Sequence, residues 1–173
     1  MPEQIALRAR HPRGLSTGPL KALQQYHAWP DRFDEMARRV SNHYRAGEPP
    51  AIGRYVEAEG GSLLRTHPQR LWFVSDRNAT SELELPVDIG VSLDLSHARV
   101  LIQAEFDLAE PLLSRFVSVD LRLRYFPIGS VALAPLHRVS VLLQRRTGGI
   151  DIFAPRSFSA SLWDVLVETA ERL

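Results

Sequence analysis

Asp94 and His97, followed by Arg99, are the side chains of this 173-residue chain best suited in type to proton transfer: a carboxylate, an imidazole and a guanidinium in six residues. General acid–base work requires the first two to meet within hydrogen-bonding reach. Alternate residues of a strand share a face, so Asp94 and His97 point apart unless a turn intervenes. A turn at Ser96-His97 would join them. The structural reading is the stronger one, because a titratable pair without a nucleophile makes a weak site. In that reading the segment fixes a strand entrance through side-chain to backbone hydrogen bonds, and Arg99 neutralises a nearby carboxylate.

Other chemistries find less support. The six histidines, at positions 11, 27, 43, 67, 97 and 137, show no H-x-H or H-x-x-x-H spacing, so a metal would need ligands converging from distant segments. Cysteine is absent, which excludes disulfides, thiolate metal sites and a thiol nucleophile. Neither a G-x-S-x-G elbow nor an S-x-x-K pattern occurs, and Ser157, Ser159 and Ser161 cluster where helix capping accounts for them. Dinucleotide and P-loop glycine patterns are missing. Asn78-Ala79-Thr80 matches a glycosylation acceptor, but the sequence opens without a secretion signal, so chance explains it.

Apolar residues make up 45% of the chain and charged residues 24%, enough for a true core. Nine basic and seven acidic residues precede Gly61, and twelve and thirteen follow Gly60. That flat distribution argues against nucleic acid, which selects a concentrated basic face. Ile5-Ala6-Leu7 is cut short by arginines, so neither a leader nor a membrane span is expected and the chain reads as cytoplasmic.

The elements that must position these residues follow from periodicity. Asp31–Arg45 reads as a helix capped by Asp31, with Met36, Ala37, Val40 and Tyr44 on one face and Gly47–Pro50 as its stop. Ser62–Thr66 and Leu71–Ser75 read as a hairpin. Asp94–Glu105 holds a strand, and Asp107–Val117 a second helix with Asp107 and Glu110 as a capping pair. Strands follow at Ser130–Leu136, Val139–Arg145 and Ile150–Ala154, with Thr147-Gly148-Gly149 as a tight turn. Ser157–Leu173 closes the chain as a helix with Phe158, Leu162, Val165, Leu166 and Leu173 inward. Before the first helix the patterning is weak: Ile5–Leu7 reads as a strand or a partner-bound arm, and His11–Gly14 and Thr17–Pro19 read as loop.

Strand, helix and hairpin thus occur twice. This predicts an α+β fold of two pseudo-repeated halves with antiparallel sheet in a single domain over 1–173, with an arm at about 1–29 and halves at about 30–90 and 91–173. Tyr125 and Phe126 sit in a loop where aromatics either anchor a partner or cover the domain's own core, and Arg156 and Trp163 raise the same question.

Three signatures resemble one family: Asp94-Leu95-Ser96-His97-Ala98-Arg99, Phe126-Pro127-Ile128-Gly129, and Pro155-Arg156-Ser157-Phe158 followed by Leu162-Trp163. Together they resemble the small, gamma-type subunit of heterotetrameric sarcosine oxidase and related flavoenzymes that oxidise N-methyl amino acids. The chain departs from that pattern at Glu105-Phe106, where a Gly-Pro pair is common, and at the short stretch ending in Pro86, where a helix is usual. The resemblance implies the folate-binding-domain fold of the glycine cleavage T protein and a non-catalytic role, with Asp94, His97 and Arg99 structural. It also implies alpha, beta and delta partner subunits that carry FAD, FMN, NAD, zinc and tetrahydrofolate, this chain binding no cofactor alone. Tyr125, Phe126, Arg156 and Trp163 are the interface candidates. The alternative is a stand-alone folate-binding or aminomethyl-transferring domain in which Asp94 or Asp120 contacts the pterin.

Overall fold

The repeat is present, but as strand, helix and three-stranded meander rather than strand, helix and hairpin. The computed structural model describes residues 12–18, 20–75 and 83–173. Its elements run β1 (Leu15–Gly18), β2 (Ala22–Ala28), α1 (Phe33–His43), β3 (Arg54–Ala58), β4 (Gly61–His67), β5 (Arg70–Ser75) and β6 (Gly90–Asp94). They continue with β7 (Arg99–Glu105), α2 (Phe106–Leu113), β8 (Val131–Leu136), β9 (Val139–Arg146), β10 (Gly149–Pro155), a 3-10 turn at Arg156–Phe158, and α3 (Ser159–Ala170). The strand expected at Ile5–Leu7 and the Asn78-Ala79-Thr80 acceptor lie outside the described residues. Among the described residues no helix is long and apolar enough to cross a membrane.

The strands form two five-stranded sheets, ordered β3-β4-β5-β2-β6 and β8-β9-β10-β7-β1. The two orders are one pattern. In each, a meander ends beside the strand that precedes the helix, and a fifth strand closes the sheet. That fifth strand is exchanged along the chain: β1 runs into β2 but pairs antiparallel with β7, and β6 runs towards β7 but pairs antiparallel with β2. One compact unit therefore holds β1, Val100–Ile128 and Leu133–Leu173, and the other holds β2 through Arg99 with Gly129–Ala132.

In the second of these units α1 lays Met36, Ala37 and Val40 into a core with Tyr26, Leu63, Leu71, Phe73 and Ile89. Tyr44 stacks on Phe73 with ring centroids 3.7 Å apart, and its hydroxyl pairs with that of Tyr26 at 2.6 Å, so two buried polar groups satisfy each other. Asp31 does not cap the helix. It takes φ of 63°, a left-handed turn conformation that Asp tolerates, and Arg32 occupies the N-cap without a side-chain bond. Asp34 and Glu35 still fall in the first turn, where the helix dipole favours them. The helix also ends before its expected stop, with Arg45 at φ of 49° and Gly47 at 73°.

In the other unit α2 begins one residue early and ends at Leu113. Its first donor, the Phe106 N–H, bonds the Gly148 carbonyl at 3.0 Å, so the Asp107–Glu110 capping pair does not form. Pro111 lacks an N–H for the preceding turn of carbonyls, and the helix gives way to turns two residues later. The β8–β9 link, His137-Arg138, has both residues at positive φ, as a two-residue hairpin with native twist requires. Gly149 opens β10 where a Cβ would lie 2.0 Å from the Ala104 carbonyl oxygen, so only glycine fits. In α3 the inward stripe is Ser159, Leu162, Trp163, Leu166 and Val167. Phe158 and Leu173, expected inside, are exposed. The Ser159 and Ser161 hydroxyls do not cap; they donate to the Arg156 and Phe158 carbonyls at 2.8 and 3.0 Å and close the 3-10 turn.

A candidate partner-binding surface

Asp94, His97 and Arg99 span the link from β6 to β7. The Asp94 carboxylate accepts the Ser96 N–H at 2.8 Å and the Ser96 hydroxyl at 2.5 Å. That hydroxyl in turn accepts the Leu23 N–H of β2 at 3.0 Å, while the Leu95 N–H bonds the Leu23 carbonyl at 2.8 Å. The two hydrogen bonds from Ser96 hold the Asp94 carboxyl below its ordinary range. His97 is exposed and the Arg99 guanidinium lies 5.4 Å from the Trp72 ring centroid. Desolvation lowers the Arg99 pKa. The turn therefore pins the strand exchange to β2, and the basic group serves a ring face. Among the described residues no three His, Cys, Asp or Glu side chains converge as a metal would need.

The surface with recognition character lies between α2 and β8. Leu121 and Phe126 are buried there, Phe126 at 5% exposure, and four exposed residues, Arg122 to Tyr125, stand between these anchors. Beneath them is Arg145 of β9, which is buried. It donates to the Leu121 carbonyl, and its guanidinium carbon lies 5.7 Å from the Phe126 ring centroid. Burial lowers the Arg145 pKa, partly offset by the charge of Glu110. A buried cation thus clamps the loop from inside.

On the outside, the Tyr125 and Phe126 N–H groups both bond the Arg122 carbonyl at 2.9 Å. Asp120 accepts from the Arg122 N–H at 3.1 Å and from its Nε at 2.9 Å. The hydrogen bond from Arg122 pulls the Asp120 carboxyl down to about 2. Tyr125 is 57% exposed, and two guanidiniums lie over its ring, Arg122 at 5.0 Å and Arg124 at 4.4 Å from the centroid. Stacked guanidiniums hold an aromatic in place while leaving its edge for a partner. Leu123 and Ile128 are also exposed. The arrangement resembles interface hot spots in its residue types, Tyr and Arg on a preordered loop.

Of the four residues singled out by sequence, Tyr125 is exposed, Arg156 is half-buried at the start of the 3-10 turn, and Phe126 and Trp163 are inside. Trp163, at 1% exposure, covers the unit's own core. Arg122, Arg124 and Arg145 were not singled out; the alternation Arg122-Leu123-Arg124 before two aromatics was their signal. Gly129 of the Phe126–Gly129 signature has φ of 89°, and its carbonyl accepts the Tyr55 N–H at 3.0 Å. A Cβ there would lie 2.8 Å from the Arg54 guanidinium, which gives that glycine a backbone role.

No family model matches the sequence, and no curated protein does. Among solved structures, a chain of the heterotetrameric sarcosine oxidase from Corynebacterium sp. U-96, in complex with pyrrole 2-carboxylate, is similar to this chain with a TM-score of 0.76 and 20% identity. The match covers 96% of this chain and 89% of that one. At that identity the likeness is one of fold.

Proposed function

We propose that this chain is the small, gamma-type subunit of a multi-subunit, flavin-dependent amine oxidase or dehydrogenase. The observation that carries this reading is the fold shared with a sarcosine oxidase chain over 96% of the present one. Two features support it. The Asp94 segment is occupied in fixing a turn, and the Tyr125 loop presents a preordered aromatic and arginine surface.

In this reading the reaction is oxidative demethylation of a secondary or tertiary amine such as sarcosine. A large alpha subunit carries NAD and folate, a beta subunit FAD, and FMN lies between them. In that scheme a small delta subunit bears the zinc. The role of this chain is to cover apolar surface on the alpha subunit, which stabilises the assembly by mass action. A stand-alone folate domain would instead need Asp94 or Asp120 to turn to a pterin, and both carboxylates already accept hydrogen bonds within their own loops.

Pull-down of a tagged copy from its source cell, with mass spectrometry and a flavin absorbance spectrum of the eluate, tests the reading. Co-elution of yellow, larger chains is the expected result. A colourless, solitary chain overturns it and makes titration with a reduced folate the next step.

A further inference from the structure

The β3-β4-β5-β2-β6 sheet packs α1 on one face, through Tyr26, Leu71 and Phe73. The other face carries an unbalanced charge. His67, Arg70 and His27 lie directly opposite one another across β4, β5 and β2. Directly opposed residues share a face, so three basic side chains stand in one row, each of them half-buried. The outer two belong to strands about 10 Å apart. Their ring centroids are only 6.2 Å apart, so the imidazoles lean towards each other across the central arginine.

No acid balances this row. The charges acting on His27 are those of Arg70 and His67. Val91, opposite His27 on β6, is apolar. The carboxylates of the sheet's strands are engaged elsewhere: Glu57 of β3 accepts from Ser62, and Asp94 of β6 accepts from Ser96. Asp34 of α1 acts on Arg65, whose guanidinium lies over the Phe33 ring. Arg70 Nε is buried with no acceptor among the described residues. Like charges this close favour a counter-ion, and a buried donor left unmade adds to the cost of going without one.

The donors are held in place. His67 Nδ1 accepts the Gln69 N–H at 3.2 Å, so the proton of the neutral ring sits on Nε2. The Gln69 carbonyl accepts the Ala28 N–H at 2.9 Å, and Arg65 donates to the Pro68 carbonyl at 2.9 Å. The turn that presents His67 and Arg70 is thereby tied to β2 and β4.

We propose that the row of His27, Arg70 and His67 binds a small oxyanion, a phosphate or carboxylate group seated between the two imidazoles and beside the guanidinium. The 6.2 Å between ring centres suits one such group with charge-assisted bonds of about 2.8 Å to each ring. A metal ion fits poorly, because Arg70 repels it. Protonation of the imidazoles strengthens the hold, so binding is tighter at pH 6 than at pH 8. The row lies in a different unit from the Tyr125 loop, and the site does not depend on the flavoprotein reading.

The test titrates the full-length chain at pH 6 with sodium phosphate, with sodium acetate, and with sodium chloride at matched ionic strength, following the imidazole C–H resonances by NMR. Phosphate or acetate is expected to move the His27 and His67 signals together and saturably, with half-saturation below about 10 mM. The tighter of the two tells which group the site takes. The same anion should raise the His27 midpoint, and the exposed His97 is the internal reference. Arg70→Gln is expected to weaken the response about tenfold or more, with circular dichroism to verify its fold. His27→Gln is the second variant, in which the His67 signal should lose its saturation. A response matched by chloride, an equal movement of His97, or an undiminished response in either folded variant would each overturn the proposal.

Discussion

The Ser96 hydroxyl accepts the Leu23 N–H and donates to the Asp94 carboxylate, so one side chain ties the β6–β7 turn to the neighbouring strand β2. Ser96→Ala leaves the Leu23 donor without its acceptor. We expect a loss of about 1–3 kcal/mol in urea unfolding, the cost of an unmade bond to a part-buried backbone group.

The same turn gives an acid-sensitive contribution. The Asp94 carboxyl is lower in the folded state than its unfolded value of 3.8, so it stabilises the fold above that pH. The contribution is lost as pH falls through the folded value. Wild type and Asp94→Asn should therefore differ in stability at pH 6 and converge at the acid end. A constant difference across the range would show that the carboxylate charge is not what matters.

His27 titrates in the opposite chemical sense but with the same pH direction. Burial, Arg70 and His67 lower its pKa, so the unfolded chain takes up a proton first as pH falls below 6.5. Its share of stability is complete above 6.5 and declines below it. By NMR titration, Arg70→Gln should raise the His27 midpoint, and an unchanged midpoint would remove Arg70 as a cause.

Arg145→Ala removes the clamp under the Tyr125 loop and leaves a cavity with an unpaired Leu121 carbonyl. A stability loss of about 2–5 kcal/mol is expected, together with faster amide exchange across Arg122–Phe126. Loss of stability without loosening of that segment would mean that the loop is held elsewhere.

Tyr125→Ala and Trp163→Ala should separate surface from core. The first should change stability by less than about 0.5 kcal/mol and reduce partner recovery, whereas the second should cost about 3–5 kcal/mol whatever the partner. Undiminished recovery with Tyr125→Ala would remove the loop from the interface.

The elements best read from sequence were those with an uninterrupted period. Met36, Ala37 and Val40 announced α1, and the runs through Leu71–Ser75, Val139–Arg145 and Ile150–Ala154 announced strands covered on both faces. β2 is not legible because buried Gln24 and half-buried Gln25 and His27 break the apolar run of a strand flanked on both sides. Thr17-Gly18, which the sequence presents as loop, is the second half of β1, whose place depends on pairing with a strand far along the chain. The caps failed at Asp31 and Asp107 for a related reason: backbone carbonyls and turn geometry took over what side chains were expected to do. At the candidate surface, residue type pointed to Tyr125, while the buried Arg145 that orders it could be found only from the fold.

The exchange of β1 and β6 bears on how the chain is assembled during synthesis. Every strand from β2 to β6 has been synthesised by Asp94, so that sheet can close from local segments before the later strands are made. Leu15, by contrast, pairs with Ala104, and β7 itself lies beside β10, which ends at Pro155. β1, the earliest of the described strands in the chain, is among the last of them to find its place, with a long loop-closure step that slows folding. Until then Leu15–Gly18 trails from a finished neighbour as an unpaired strand, the stage at which a chaperone or a neighbouring nascent chain has its opening.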